Sequence, residues 1–139
     1  MNFTIPIPPH GQMRPRYTSR GKFHKAYKAD GQVTMERQLM AYLKDHAPEK
    51  PFEGPVLLDV VALFARPKHH YGTGRNSGKL KKTAPVWHTK KPDADNLLKM
   101  LKDCMNEIFY KDDKQVCVTR IRKQYSERPR WEINIDEMP

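Results

Sequence analysis

The sequence predicts a small α+β domain in which a mixed or antiparallel sheet packs with two main helices. Its 139 residues are enough for one domain with its own hydrophobic core. Apolar residues alternate in some segments and recur every three to four positions in two others, in the order strand, helix, strand, helix, strand, strand. We therefore expect a single domain over residues 1–139, with flexible basic loops at about 10–29 and 67–90.

The N-terminal part predicts one edge strand and a loop. Phe3, Ile5 and Ile7 alternate with other residues, and the prolines at positions 6, 8 and 9 restrict such a strand to an edge or an end of the sheet. Residues 10–29 follow as an irregular basic loop.

The middle of the chain predicts a helix, a central strand and a long loop. From about 31 to 45, one helical face carries Met35, Leu39, Tyr42 and Leu43. Residues 55–65, PVLLDVVALFA, are apolar on both faces, as in a buried central strand. Residues 66–90 are rich in Gly, Ser, Lys and His, and loops of this length in compact domains are usually functional or disordered.

The C-terminal part predicts a second helix and two strands. From Asp93 onward, apolar residues recur at helical spacing: Leu97, Leu98, Leu101, Met105 and Ile108. Residues 115–125 and 131–135 are rich in β-branched residues and are joined by a Ser-Glu-Arg-Pro turn. Trp131 alternates with two isoleucines and is expected in the core.

The positive charge is concentrated in two tracts. The formal net charge is +10, yet the chain has no acidic residue before Asp30 and none between Val60 and Pro92. Clustered Lys and Arg interspersed with Gly, Ser and aromatic residues are typical of proteins that bind a phosphate backbone. The alternative is a solvated surface that binds nothing specific.

The chain shows no sign of export. Prolines interrupt the N-terminus where a signal peptide needs an apolar run, and no later segment is long and apolar enough to span a membrane. Cys104 and Cys117 lack metal-binding spacing and are interpreted as reduced core thiols, so we expect a cytoplasmic protein.

An acidic cluster interrupts the basic tracts. Asp93 and Asp95 stand at the mouth of the second helix, Lys99 lies one turn further on the same face, and Asp112 and Asp113 follow in a turn. Carboxylates brought together in this way are stabilised by a hard divalent cation such as Mg²⁺, which keeps several waters and accepts phosphate oxygens. A nearby lysine would stabilise the charge that develops during phosphodiester hydrolysis.

Structural interpretations of the same residues remain open. Asp93 can be a helix N-cap, Asp95 and Lys99 a surface ion pair, and the two later aspartates a turn. Asp103 is interpreted as structural. His69 and His70 are interpreted as loop residues rather than metal ligands, whereas Tyr71 and Trp87 could stack on bases.

The motifs resemble those of the RusA family of Holliday junction resolvases. The resemblance rests on K-P-D-A-D-N with Lys99 and Asp103, the Y-K-D-D turn, the strand with Lys123 and Tyr125, and the N-terminal P-I-P-P and M-R-P-R segments. It covers nearly the whole chain. Asn106-Glu107 departs from the Asn-Gly that relatives often have after the helix, so the end of the helix is expected to differ.

The resemblance implies a homodimeric, Mg²⁺-dependent endonuclease of bacterial or phage origin, with Mn²⁺ as a substitute, that nicks four-way DNA junctions symmetrically in recombination and repair. It implies that Asp93, Asp95 and Asp113 are metal ligands and that Lys99 is the essential lysine. The basic loops are expected to contact phosphates along the junction arms. The expected DNA-binding residues are Arg14, Arg16, Lys22, Lys68, Lys81, Lys82, Lys91 and Lys123.

Two other functions remain open at this point. The chain could be a basic protein that binds branched DNA or structured RNA without cutting it, in which case Mg²⁺ would not be required. It could also be a nuclease with the same catalytic site that acts on flaps, replication forks or RNA.

Overall fold

The computed structural model describes residues 1–12 and 30–139, together with the backbone of two strands between them. In chain order the strands and helices are β1 (Asn2–Ile5), β2 (Arg16–Arg20), β3 (Phe23–Tyr27), α1 (Asp30–Asp45), β4 (Val56–Ala65), α2 (Ala94–Met105), β5 (Val116–Ser126) and β6 (Arg130–Glu137). Short 3-10 turns lie at Lys68–His70, Gly74–Asn76 and Asp113–Gln115. No described helix has both the length and the apolar character needed to cross a membrane.

A four-stranded mixed sheet forms the centre of the fold, in the order β1-β6-β4-β5. β4 pairs with β5 in parallel and with β6 antiparallel, and β1 pairs antiparallel with β6 at the edge. The parallel pair needs a crossover connection, and α2 lies within it. The predicted α+β class with a mixed sheet is confirmed. β5 and β6 flank β4, so the turn between them passes the end of β4 instead of closing a hairpin.

The core lies between one face of this sheet and the two helices. Alternate residues of β4 are fully buried, and Leu39 and Leu43 of α1 and Leu97 and Leu101 of α2 belong to the same cluster. Trp131 is fully buried there, as predicted. Tyr42, predicted on the buried face of α1, is 37% exposed.

The second face of the sheet is partly exposed and carries polar as well as apolar side chains, which corrects the prediction that β4 is buried on both sides. Leu57, Asp59 and Val61 are only half-buried, and Arg122 donates a hydrogen bond to the Asp59 carboxylate (3.3 Å). Both core helices pack on the opposite face, so this one keeps partial contact with solvent. Cys104 is buried as expected, but Cys117 is exposed because it lies on the edge strand β5.

The backbone of residues 16–20 and 23–27 forms an antiparallel pair, so the prediction of an irregular loop over 10–29 is wrong for these residues. The register pairs Arg16 with Tyr27 and Arg20 with Phe23. Tyr, Thr and Phe favour strands, and Gly21-Lys22 is a two-residue separation that favours a hairpin. The many Lys and Arg residues of this segment favoured the loop prediction over these indications of strands.

The long segment before α2 has defined local structure, which the loop prediction did not include; its flexibility remains a prediction. Two of the 3-10 turns lie within it, and near its end Trp87 forms an antiparallel bridge with Gln124 of β5. The backbone amides of His88 and Tyr125 donate to the carbonyls of Lys123 and Val86 at 3.0 and 2.9 Å.

A cluster of rings packs this segment against the ends of β4 and β5. The His88 ring stacks on Phe64 with centroids 3.8 Å apart, and the His70 ring meets Tyr125 edge-on at 4.7 Å. The Arg66 guanidinium lies over Tyr125, 5.6 Å from the ring centre. Burial lowers the pKa of His70, and the positive charges of His69, Arg66 and Lys81 lower it further. Burial and the nearby Lys123 likewise lower the pKa of His88.

The chain leaves α2 through a left-handed residue. Asn106 caps the helix, Glu107 has φ of 66°, and its amide donates to the Tyr110 carbonyl (2.7 Å). Glycine adopts this conformation without steric cost. The helix therefore ends in a conformation that glycine favours, although this chain has Glu at the left-handed position.

We expect the protein to lose stability as the pH falls below about 6.5, the ordinary histidine pKa. Because both histidine pKa values are lowered in the folded state, the unfolded chain binds more protons in this window. The melting temperature should fall as the pH is lowered from 7.5 to 5.0. His88→Phe should reduce the slope of melting temperature against pH. The control His46→Phe replaces an exposed histidine whose ring stacks on Phe3 instead of joining this cluster. If the melting temperature of His88→Phe depended on pH as steeply as that of the wild type, the assignment of this pH effect to His88 would be wrong.

We expect Glu107→Gly to raise the free energy of unfolding by up to about 1 kcal/mol. Glycine removes the strain of a left-handed side-chain-bearing residue, and its larger unfolded-state entropy offsets part of this gain. Chemical denaturation measures the change. Asn106→Gly, one residue earlier at a negative φ, is the matched control and should destabilise the protein.

Candidate active site and nucleic-acid interface

The start of α2 is fixed by Asp93. This residue is the N-cap: its carboxylate accepts a hydrogen bond from the Asn96 amide (2.8 Å), and its carbonyl accepts one from Leu97 (3.2 Å). An N-cap side chain of this kind satisfies a helix amide that has no partner within the helix. The interpretation of Asp93 as a helix N-cap is thus confirmed. Asp95 consequently lies in the first turn of α2, where its side chain is exposed.

One face of α2 meets the turn before β5 around a small open cavity of about 160 Å³. Its lining residues are Asp95, Leu98, Lys99, Lys102 and Asp113. The first four share a helical face because they are three to four residues apart. The structure therefore brings together Asp95, Lys99 and Asp113, which the sequence analysis linked.

A network of hydrogen bonds fixes the turn that carries Asp113. The Asp112 carboxylate accepts from the Lys114 amide (2.9 Å), and the Gln115 side chain accepts from the Asp112 amide (3.0 Å), which together form a capping box. The hydrogen bond from the Lys114 amide lowers the pKa of Asp112. Asp112 thus caps the turn, while Asp113 lines the cavity.

A second contact holds this region to α2. The hydroxyl of the buried Tyr110 donates to the Lys102 carbonyl (2.8 Å) near the end of the helix. Burial and the nearby Asp113 and Asp103 carboxylates raise the pKa of Tyr110, so the hydroxyl keeps its proton. Tyr110 therefore links the turn to the helix that faces it.

A larger cavity of about 880 Å³ adjoins Asp93. Its polar lining includes His10, Gln12, Lys90, Lys91, Asp93 and Lys123. The Lys123 ammonium donates to the Lys90 carbonyl (2.6 Å), and burial lowers its pKa while Asp93 opposes that shift. Lys123, predicted to bind DNA, is thus half-buried and already bonded to the segment that leads into α2.

The number and position of the carboxylates determine whether a divalent cation can bind at this site. Within residues 1–12 and 30–139, no three His, Cys, Asp or Glu side chains converge into a metal-binding group. Asp95 and Asp113 nevertheless line the same open cavity. Mg²⁺ is commonly held by one or two carboxylates, with water and substrate phosphates completing its shell. Asp95 and Asp113 therefore fit a cation that binds together with a phosphate group, whereas Asp93, the third predicted ligand, lines the larger cavity instead.

The other predicted contact residues occupy different parts of the surface. Lys68, Lys81, Lys82 and Lys91 are exposed. Arg14, Lys22 and the side chain of Arg16 lie outside the described residues. Trp87 is 55% exposed, whereas Tyr71 is half-buried. His69 and His70 lie in the first 3-10 turn, with the two rings edge to face, 4.8 Å between centroids.

The structure adds one contact that sequence reasoning missed. The Asn96 side chain bonds the backbone of Gln12, 84 residues away, and the Gln12 side chain bonds Asp103. The K-P-D-A-D-N motif includes Asn96 and could have indicated that this residue has a role. Nothing in the sequence indicated that Gln12 is its partner.

Comparisons with known proteins identify the family of this chain. The family described as "Endodeoxyribonuclease RusA" matches residues 6–136. The chain is 35% identical over 139 residues to "Uncharacterized protein YqaN" of Bacillus subtilis, covering 99% of this chain and 96% of that protein. It is 33% identical over 112 residues to "Crossover junction endodeoxyribonuclease rusA" of Lactococcus phage r1t, covering 78% and 76%. The resemblance in the motifs is confirmed: the chain belongs to the RusA family of endodeoxyribonucleases.

Proposed function

We propose that this protein is a Mg²⁺-dependent, structure-specific endonuclease that resolves Holliday junctions by paired symmetric nicks during DNA recombination and repair. The observation that carries the proposal is the shared cavity of Asp95, Lys99 and Asp113. Family membership supports a nuclease, and the name of the phage relative supports a junction substrate. The protein acts in the cytoplasm of a bacterium, encoded by the bacterium or by a phage.

The two carboxylates perform the binding part of the mechanism. Asp95 and Asp113 would hold the cation, while Asp93, the third predicted ligand, caps the helix and lines the neighbouring cavity. The cation that Asp95 and Asp113 would hold would supply Lewis-acid polarisation of a phosphoryl oxygen and a water with a lowered pKa. Because the carboxylates come from α2 and from the turn before β5, the packing of these two elements sets their separation.

Lys99 performs the electrostatic part. It lines the same cavity as both carboxylates and lies one helical turn from Asp95. Its ammonium stabilises the negative charge that accumulates on the phosphoryl oxygens in the transition state. The scissile phosphate would therefore contact two positive charges, the Lys99 ammonium and the metal ion.

The substrate is recognised through its backbone and its branched shape. The exposed lysines at positions 68, 81, 82 and 91 contact phosphates of the junction arms, together with the basic residues between 13 and 29. A four-way junction has two-fold symmetry, so two sites on a homodimer reach strands of like polarity. The proposal therefore includes a dimer with one active site per chain.

The proposal is tested with a synthetic four-way junction and a linear duplex of the same sequence. We expect paired nicks on the junction only, and only with Mg²⁺ or Mn²⁺. Asp95→Asn and Asp113→Asn should each reduce the single-turnover rate about 100-fold or more while junction binding in Ca²⁺ persists. Asp45→Asn, at the exposed end of α1, removes the same charge elsewhere and should cleave normally.

Other outcomes identify the alternatives. Junction binding without cleavage in any metal would favour a DNA-binding protein that is not an enzyme. Asp93 and Asp112 would then serve only as caps of α2 and of the turn before β5. Metal-dependent cleavage of flaps, forks or RNA in preference to junctions would keep the site assignment and change the substrate. Full activity in Asp95→Asn would reject the metal assignment.

Lys99→Met should lower the single-turnover rate by about 10²–10³, the typical effect of removing one charge-stabilising group. Junction affinity should change no more than in Lys44→Met, which removes one exposed lysine from α1. Quench-flow rates and fluorescence anisotropy separate the two effects. A loss of affinity without a loss of rate would make Lys99 a DNA contact only.

A further inference from the structure

Trp87 combines an exposed side chain with a backbone that is held in place. The residue is 55% exposed, and among residues 1–12 and 30–139 no ring contact involves it. Single exposed apolar residues are common on protein surfaces. The contacts that hold Trp87 and the charges around it therefore decide whether it has a role.

The backbone on both sides of Trp87 is hydrogen-bonded to β5. The carbonyl of the residue before it accepts from the Tyr125 amide (2.9 Å), and the amide of the residue after it donates to the Lys123 carbonyl (3.0 Å). Trp87 itself forms an antiparallel bridge with Gln124. The segment is thus a short additional strand on the edge of β5, with Trp87 at its middle.

Two side-chain hydrogen bonds hold this segment at its ends. The Arg66 guanidinium donates to the Pro85 carbonyl (2.7 Å), and the Lys123 ammonium donates to the Lys90 carbonyl (2.6 Å). Residues 85–90 are therefore attached to the sheet as the chain approaches α2. A ring carried by such a backbone loses little conformational entropy when a ligand binds to it.

Alternation along the short strand explains why Trp87 is exposed. Neighbouring residues of a strand point to opposite faces. The His88 ring packs against Phe64 and Tyr125, with centroid distances of 3.8 and 5.0 Å. Trp87 consequently points away from this cluster.

The segment around Trp87 is strongly basic. No acidic residue occurs between Val60 and Pro92. A ligand that suits both an exposed aromatic ring and neighbouring cations has a flat apolar face and negative charge, and a DNA strand has both in its bases and phosphates. The exposed lysines nearest to Trp87 in the chain are Lys81, Lys82, Lys90 and Lys91.

We propose that Trp87 stacks on a DNA base that has lost a stacking neighbour, as at the centre of a branched substrate. The inference rests on the proposed function for the identity of the ligand. The exposed lysines of the same segment neutralise phosphates near the stacked base. Because every base has an aromatic face, this contact recognises an open structure rather than a sequence.

The test compares binding of a short oligothymidylate with binding of an abasic strand of the same length, without metal. Both strands carry the same phosphates, but only the first has bases. Trp87→Ala should bind the oligothymidylate about 5- to 150-fold more weakly than the wild type, which is the range expected for one lost stack. Its affinity for the abasic strand should not change.

Two further variants serve as controls. Trp87→Phe keeps an aromatic face and should restore most of the affinity for the oligothymidylate. Val86→Ala shortens the adjacent apolar side chain, which is also 55% exposed, and should bind both strands normally. Circular dichroism establishes that each variant is folded.

Two readouts separate stacking from a structural role. Since Trp87→Ala removes no charge, its slope of log K against log salt should equal that of the wild type, whereas a disturbed basic segment would lower the slope. The oligothymidylate should quench the tryptophan fluorescence of the wild type. It should not quench Trp87→Phe, whose remaining tryptophan, Trp131, is fully buried.

The same variants connect the contact to branched DNA. Trp87→Ala should lose more affinity for a four-way junction than for a linear duplex of the same sequence, because the internal bases of a duplex are stacked on both sides. Equal losses on junction and duplex would show that Trp87 does not recognise the branch.

Several other results would overturn the inference. Equal losses on the oligothymidylate and the abasic strand would show that Trp87 acts on the DNA backbone or on the fold. Unchanged affinity of Trp87→Ala for the oligothymidylate, or a wild type that does not bind it, would show that no base stacks there. A change from dimer to monomer in Trp87→Ala, measured by analytical ultracentrifugation, would assign the ring to a contact between two copies of this chain.

Failure of the inference and failure of the proposed function give different results. Metal-dependent junction cleavage by a wild type whose DNA affinity does not depend on Trp87 would reject the stacking contact only. Stacking on bases without cleavage of any substrate would reject the nuclease proposal and support the stacking contact.

Discussion

The hydrogen bond between the Asp93 carboxylate and the Asn96 amide is the interaction on which the candidate site depends. It fixes the residue at which α2 begins and places Asp95 in the first turn of the helix. Successive residues are about 100° apart around a helix, so the rotation of α2 about its own axis decides whether Asp95 and Lys99 face Asp113. The apolar stripe of α2 imposes the same orientation from the core side, because Leu97, Leu101 and Met105 are fully buried. Capping and packing thus select one face of the helix for chemistry.

The crossover from β4 through α2 to β5 explains how distant sequence positions meet. Parallel pairing of β4 with β5 requires the chain to return along the sheet, and α2 is the returning element. The turn after it is held by Tyr110, which bonds the last turn of α2, and by Gln115, whose side-chain nitrogen donates to the carbonyls of Phe52 and Gly54 at 2.9 and 3.0 Å. The position of Asp113 therefore depends on the central part of the fold rather than on a free loop.

The sequence predicted those features that local patterns encode. The fold class, the edge strand at the N-terminus, α1, α2 and the last two strands follow from alternation and helical periodicity, and the motif around Asp93 indicated the family. The sequence failed where the relevant partner is remote. The polar face of β4 depends on which side the helices occupy, the exposure of Cys117 depends on β5 being an edge strand, and the bond between Gln12 and Asn96 joins positions 84 residues apart. Apolar periodicity carries no information on these choices.

The exposure of the site has a consequence for the proposed mechanism. Asp95 and Lys99 are exposed, and in water the interaction of two charges 4 Å apart is only about 1 kcal/mol, whereas it is about four times larger near a protein surface with lower effective dielectric. The side chains alone therefore have weak influence on a phosphate that remains solvated. In the proposed mechanism, a DNA strand lying across the cavity would displace water and strengthen the attraction of Lys99 for its phosphate and of Asp95 and Asp113 for the cation that they hold. In this mechanism the basic segments do more than add affinity, because only a strand that they hold over the cavity experiences the full field of the site. The proposed selectivity for a branched substrate would then follow from geometry, since the substrate whose arms contact the basic surfaces would also be the one that covers the site.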